Sequence, residues 1–187
     1  MNDTSRQLQQ QASVLEEIRE SDTTKVKVAV ADIDGILRGK YMHRDKFFSA
    51  VESGFGFCDV VFGWDMDDQP YDNTYMTGWH HGFPDAMVRL DLATARRVPW
   101  EGDVPFFLGN FVTPQGKPHP LCPRQVLKRV LARARDMGFQ VLAGIEYEFV
   151  NFHETPKTWA EKKGHRPTPI THGMIGYSLV EAHLHRE

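Results

Sequence analysis

From Lys25 to Ala31 the chain alternates Lys25, Lys27 and Ala29 with Val26, Val28 and Val30, the period of a strand with one face buried. Asp32-Ile33-Asp34-Gly35 then supplies turn chemistry, and Ile36-Leu37-Arg38-Gly39-Lys40-Tyr41-Met42 resumes an extended pattern, which predicts a hairpin. Asp45 to Ser53 has helical composition and stops at Gly54, a C-cap signal. Ala86 to Leu92 and Pro105 to Val112 read as two further strands, separated by the turn-rich Pro99-Trp100-Glu101-Gly102-Asp103. Ahead of the hairpin, Leu8, Ala12, Val14, Leu15 and Ile18 recur near helical spacing between Ser5 and Arg19 and predict a short amphipathic helix. Strands, helix and strands in this order predict a small α+β domain.

Between Gly54 and Phe83 no period is sustained, and Gly, Asp, Asn and aromatic residues dominate, so this stretch reads as a long functional loop. Thr113-Pro114-Gln115-Gly116-Lys117-Pro118-His119-Pro120 marks a domain boundary. Beyond it, Val126, Leu127, Val130, Leu131 and Ala134 predict a helix from Pro123 to Met137, closed by Gly138. Phe139 to Phe152 reads as a strand, Glu154 to Arg166 as exposed and without clear period, and Leu179 to Glu187 as helical. The abrupt stop on Arg186 and Glu187 without a cap is expected of a truncated chain. The organisation expected is an N-terminal helix within 1–24, a sheet domain over 25–112 and the start of a second domain over 113–187.

Composition narrows the function classes. Of 187 residues, 41% are hydrophobic and 25% charged, enough to bury a core, and 22 Lys and Arg against 25 Asp and Glu leave no basic block to track nucleic acid. The polar N-terminus lacks the apolar stretch of a signal peptide and no later stretch is long enough to span a bilayer, so a soluble, cytoplasmic protein with no membrane partner is expected. Cys58 and Cys122 read as reduced packing residues. His80-His81 and His183-x-His185 lack the accompanying ligands of a closed zinc site and are assigned no role. The aromatic cluster Trp64, Tyr71, Tyr75, Trp79 and Phe83 reads as a subunit interface.

One stretch carries chemistry. In Ala143-Gly144-Ile145-Glu146-Tyr147-Glu148-Phe149-Val150 on a strand, Glu146 and Glu148 share one face and Ile145, Tyr147 and Phe149 the other. Paired carboxylates of this kind suit hard divalent cations such as Mg²⁺ or Mn²⁺, which would neutralise their mutual repulsion. The alternative is the exposed half of an amphipathic strand.

This Gly-x-Glu-x-Glu-Phe strand, after a helix opened by Pro123-Arg124, resembles the first metal-binding strand of glutamine synthetases. Asp32 to Lys40 is similar to the opening hairpin of that family's β-grasp domain, and Pro84-Asp85 with Ala86-Met87-Val88-Arg89-Leu90-Asp91 to its next strands. Cys122-Pro123-Arg124-Gln125-Val126-Leu127-Lys128-Arg129 resembles the start of its catalytic domain, and the ordered set runs from about Lys25 to about Tyr177.

The resemblance implies a β-grasp domain followed by a truncated α/β catalytic domain, and a carbon–nitrogen ligase. In it, ATP phosphorylates the γ-carboxylate of glutamate, and ammonia or a small amine then displaces phosphate. It implies Mg²⁺ or Mn²⁺, with Glu148 toward the ion nearer glutamate and Glu146 toward the ion nearer the ATP phosphates, and a large ring-shaped homo-oligomer. The remaining ligands and the arginines that hold phosphate and glutamate are expected further along the family's chain, so this chain alone is expected to be inactive. In the loop over Phe57 to Asp65, Cys58 falls where true glutamine synthetases carry an ammonium-binding aspartate, with Asp59 and Asp65 as substitutes on the amine side. Val60, Val61 and Phe62 are closer to the branch that ligates glutamate to organic amines. True glutamine synthetase, and a non-catalytic structural or regulatory relative, stand as the alternatives.

Overall fold

A computed structural model describes residues 3–171, 173 and 178–185; Tyr177, Arg186 and Glu187, which the sequence reading takes in, lie outside them. The elements are α1 (Asp3–Glu20), β1 (Lys25–Ala31), β2 (Leu37–His43), α2 (Arg44–Ser53), β3 (Phe55–Cys58), β4 (Asp85–Val98), β5 (Val104–Val112), α3 (Pro123–Asp136), α4 (Pro156–Glu161) and α5 (Leu179–Leu184). Short 3-10 turns cover Asp59–Phe62 and Pro99–Glu101. The chain divides into two compact units, Met1–Val141 and Leu142–Glu187.

In the first unit five strands form one mixed sheet in the order β2-β1-β5-β4-β3. β1 runs parallel to β5 in its centre, and the other neighbouring pairs are antiparallel. The valine face read from the sequence is the buried one, since Val26, Val28 and Val30 are each 0% exposed. Each fully buried valine contributes about 1.5–3 kcal/mol relative to its exposed state. That face is covered by Ile18 of α1 and by Phe47 and Ala50 of α2, with the Phe47 ring 4.9 Å from Phe107 of β5. β5 is buried along its whole length because it is central and both of its faces are covered. This double burial accounts for its unbroken apolar run.

α2 enters from β2 with His43 as its cap, the ring nitrogen accepting from the Asp45 amide, and stops at Gly54. Gly54 has φ +80°, and a Cβ there would lie 2.5 Å from the Val88 carbonyl oxygen of β4, so no other residue fits without displacing the strand. The β1–β2 turn is built on Asp32, which is 0% exposed. One carboxylate oxygen accepts from the Asp34 and Ile36 amides and the other from Arg38 Nε at 2.7 Å.

α3 is attached to the sheet by charge. The β4 register shifts between Asp91 and Arg96. Asp91 there accepts from Lys128 at 2.8 Å, from Arg124 at 2.9 Å and from Asn110 at 3.3 Å. Arg124 also donates to Asn110 Oδ1 at 3.0 Å. Burial alone would raise the Asp91 carboxyl, but Lys128, Asn110 and Arg124 together hold it below its usual range. No residue of α3 is buried, and Leu127 and Val130 on its apolar side are more than half exposed.

Two expectations change. The predicted loop from Gly54 contains β3, a four-residue strand paired with β4, and β4 itself continues past Leu92 to Val98. The predicted strand over Phe139 to Phe152 is absent: only Phe152 makes a β-bridge, to Pro169. A strand exists through the backbone groups of a neighbour. Among the described residues nothing pairs with 139–151, and Ile145, Tyr147 and Phe149 stand at least 76% exposed.

The second unit is ordered around Glu154, which accepts from Thr158 Oγ1 at 2.6 Å, Lys162 Nζ at 2.5 Å and the Thr168 amide at 2.6 Å. α4, within the stretch read as periodless, starts from a reciprocal cap between Thr155 and Thr158.

Candidate functional site

The loop leaves β3 at Cys58 and turns through the 3-10 segment, where the Asp59 amide donates to the Pro84 carbonyl at 2.9 Å. Asp59 is 9% exposed, and its Oδ1 accepts from the hydroxyl of Thr77, itself 2% exposed, at 2.9 Å. Val61 and Phe62 point into the core, and the Val61 carbonyl accepts from the Ile33 amide of the hairpin turn at 3.0 Å. A Cβ on Gly63 would lie 2.5 Å from Thr77 Cγ2 and 3.1 Å from Thr74 Cγ2, so glycine lets the returning segment 74–84 close against the outgoing one.

His119, from the proline-rich boundary, stacks on Phe62 with ring centroids 4.9 Å apart and planes 3° from parallel. Its Nδ1 accepts from the Leu121 amide at 3.3 Å. Burial lowers the His119 pKa, and the Asp59 carboxylate pulls it the other way without cancelling the shift. Cys58 is half-buried, its thiol donating to the Phe83 carbonyl at 3.5 Å.

Asp65 closes a turn, its Oδ1 accepting from the Asp67 and Gln69 amides at 2.9 Å each. Trp64 bridges Pro70, and the Arg38 guanidinium lies 4.5 Å from the Trp64 ring centre. Tyr75 and Trp79 are 88% and 80% exposed, and the Trp79 ring meets Phe83 edge-on at 5.1 Å.

Glu146 and Glu148 lie in an exposed segment of the second unit that forms neither helix nor strand. Their hard oxygen donors fit a Mg²⁺ or Mn²⁺ ion in kind. Among the described residues no group of three or more His, Cys, Asp or Glu could hold a metal, so these two carboxylates offer an incomplete set. The same holds for His80 and His81, whose rings pack at 4.4 Å.

Thr77 and His119 escaped the sequence reading. Thr77 lies well beyond the reach of any local motif around Asp59. His119 sits in a segment whose prolines signalled only a boundary.

A family model described as the catalytic domain of glutamine synthetase matches residues 120–181. Over 174 residues the chain is 44% identical to type-1 glutamine synthetase 2 of Dictyostelium discoideum, a match covering 93% of this chain and 33% of that protein. It is 27% identical over 164 residues to glutamate–isopropylamine ligase of a Pseudomonas species, covering 87% of this chain and 36% of that one. The cryo-EM structure of Plasmodium falciparum glutamine synthetase is alike in fold, with a TM-score of 0.51 and 17% identity over 68% of this chain and 23% of that one. The chain thus spans about a third of the length of the curated relatives it matches.

Proposed function

The chain belongs to the glutamine synthetase family, and from that membership we propose that the whole protein ligates glutamate to an organic amine at the cost of ATP. The γ-carboxylate of glutamate takes the terminal phosphoryl group of ATP; the amine nitrogen then forms the C–N bond as the C–O bond to phosphate breaks, and the amine gives up its proton. Glu148 would hold the divalent ion nearer glutamate and Glu146 the ion nearer the ATP phosphates. Bound there, Mg²⁺ or Mn²⁺ neutralises charge that develops during phosphoryl transfer.

The observation that carries the amine over ammonia is the state of the loop carboxylates. Ammonium needs a carboxylate to bind it and take its proton, whereas a larger amine is held partly by apolar contact. Cys58 occupies the position at which the family resemblance expects that carboxylate, and Asp59 and Asp65 each commit an oxygen to the loop's own hydrogen bonds. Both aspartates are assigned to the amine side, where they shape the loop. The 44% identity to a protein named glutamine synthetase favours ammonia as the second reading.

The sheet order, with β1 and β5 parallel in the middle and α2 against the valine face, supports a β-grasp reading of the first domain. The exposed Tyr75 and Trp79 support assembly into a homo-oligomer, for which a ring is the family expectation. A panel of primary alkyl and aryl amines, assayed by phosphate release on the whole protein, decides the nucleophile. A higher kcat/KM for some amine than for ammonium is expected. Ammonium beating every amine would move the assignment to glutamine synthesis.

A further inference from the structure

The return segment 74–84 is held against the outgoing segment 58–63 in part by a buried polar pair. Asp59 and Thr77 share a hydrogen bond of 2.9 Å at 9% and 2% exposure. A buried carboxylate oxygen that loses its donor is left unsatisfied, which is more costly than never having formed the bond. The Thr77 methyl is equally constrained, because it lies 2.5 Å from where a Cβ on Gly63 would fall, so hydroxyl and methyl together set one seating of the segment. The Thr74 hydroxyl donates to the Thr77 carbonyl and fixes the local turn. On the side of Asp59 toward the domain boundary, His119 stacked on Phe62 keeps the 3-10 segment from shifting away.

We propose that Thr77 is a positioning residue for the nucleophile: by donating to Asp59 it seats 74–84 on 58–63 and thereby fixes the shape that admits the amine. This rests on the assignment of the loop to the amine side. It adds the residue that controls the loop's shape, and it requires no contact between Thr77 and substrate. The shape it fixes serves whichever nitrogen nucleophile the protein uses.

The test compares Thr77→Val, which keeps the branched shape and removes the donor, with Thr77→Ser, which keeps the donor, in the whole protein. Thr77→Val is expected to raise the KM for the preferred nucleophile about tenfold, the scale of one buried hydrogen bond, with KM for glutamate and ATP within about twofold of the parent. Thr77→Ser is expected to return the nucleophile KM to within about threefold of the parent. Hydrogen exchange on the same variants is expected to speed at the Asp59 amide and at the Tyr71 amide, which donates to the Gly63 carbonyl at 2.8 Å, in Thr77→Val and not in Thr77→Ser. Equal rises in all three KM values, or an unchanged nucleophile KM with unchanged exchange, would overturn the positioning role. A Thr77→Val protein too unstable to assay leaves Thr77→Ser and Thr77→Ala to decide. A parental nucleophile KM in Thr77→Ala, which lacks the donor to Asp59, with unchanged exchange would sink the proposal. The amine panel reads the choice of nucleophile separately, so a preference for ammonium removes the amine reading without touching the Thr77 result.

Discussion

Asp32 binds three donors at full burial, and one of them is the Arg38 guanidinium. Arg38 keeps its ion pair with Asp68, but the Asp34 and Ile36 amides lose their acceptor, so we predict that Asp32→Ala lowers stability by about 2–3 kcal/mol, read as a drop in the urea midpoint at unchanged m-value. Glu154 responds to pH instead. Its carboxyl is held down to about 2 by Lys162 first, then by the Thr158 hydroxyl and the Thr168 amide. A carboxylate with a depressed folded pKa contributes stability that is full above its unfolded value, near 4.5, and fades as pH falls toward about 2. Protection of the Thr168 amide should therefore hold at neutral pH and decline across that window; decline already at pH 6 would rule Glu154 out as its cause. In the whole protein, Glu148→Ala should abolish turnover and weaken Mn²⁺ binding while leaving the fold intact, since Glu148 is exposed. Unchanged activity with unchanged metal affinity would return it to the role of a solvated side chain.

At the scale of elements, α3 tests whether polar contacts alone dock a helix. Its docking runs through Asp91, Arg124, Lys128 and Asn110, so Asp91→Ala should speed exchange along Pro123–Asp136 while β1 and β5 keep their protection. Equal protection of α3 in both proteins would mean that the ion pairs add nothing. The elements also divide by how far the sequence exposes them. β1 and α2 were legible because a half-buried strand and a Gly-stopped helix leave local marks, the valine alternation and Gly54. β3 was not, since four residues including Gly56 carry no period. The alternation of Ile145, Tyr147 and Phe149 misled in the opposite sense: it records a capacity for pairing, and pairing depends on a neighbouring backbone that no local pattern encodes. At the candidate site, Glu146 and Glu148 were visible as a spacing, whereas the Asp59–Thr77 bond joins residues that only the fold brings together.

For the whole molecule, the chain as it stands brings two candidate metal carboxylates on an exposed segment and no third ligand among the described residues. We predict that the purified chain, given ATP, glutamate and an amine, releases no phosphate above background; release dependent on all three would show that this chain assembles a working centre by itself.

The parallel pairing of β1 with β5, Lys27 opposite Phe106, has its consequence on the ribosome. Synthesis runs from the N-terminus at roughly 5–20 residues per second, so the β1–β2 hairpin and α2 emerge roughly 3–12 seconds before the strand that completes the centre of the sheet. Through that interval the inner edge of β1 offers unpaired amides and carbonyls beside a valine face that is only half covered. Nascent chains on neighbouring ribosomes present the same edge in the same register, so we predict that chaperone depletion traps this protein as co-translational aggregates. Chains arrested after β5 has emerged should escape them.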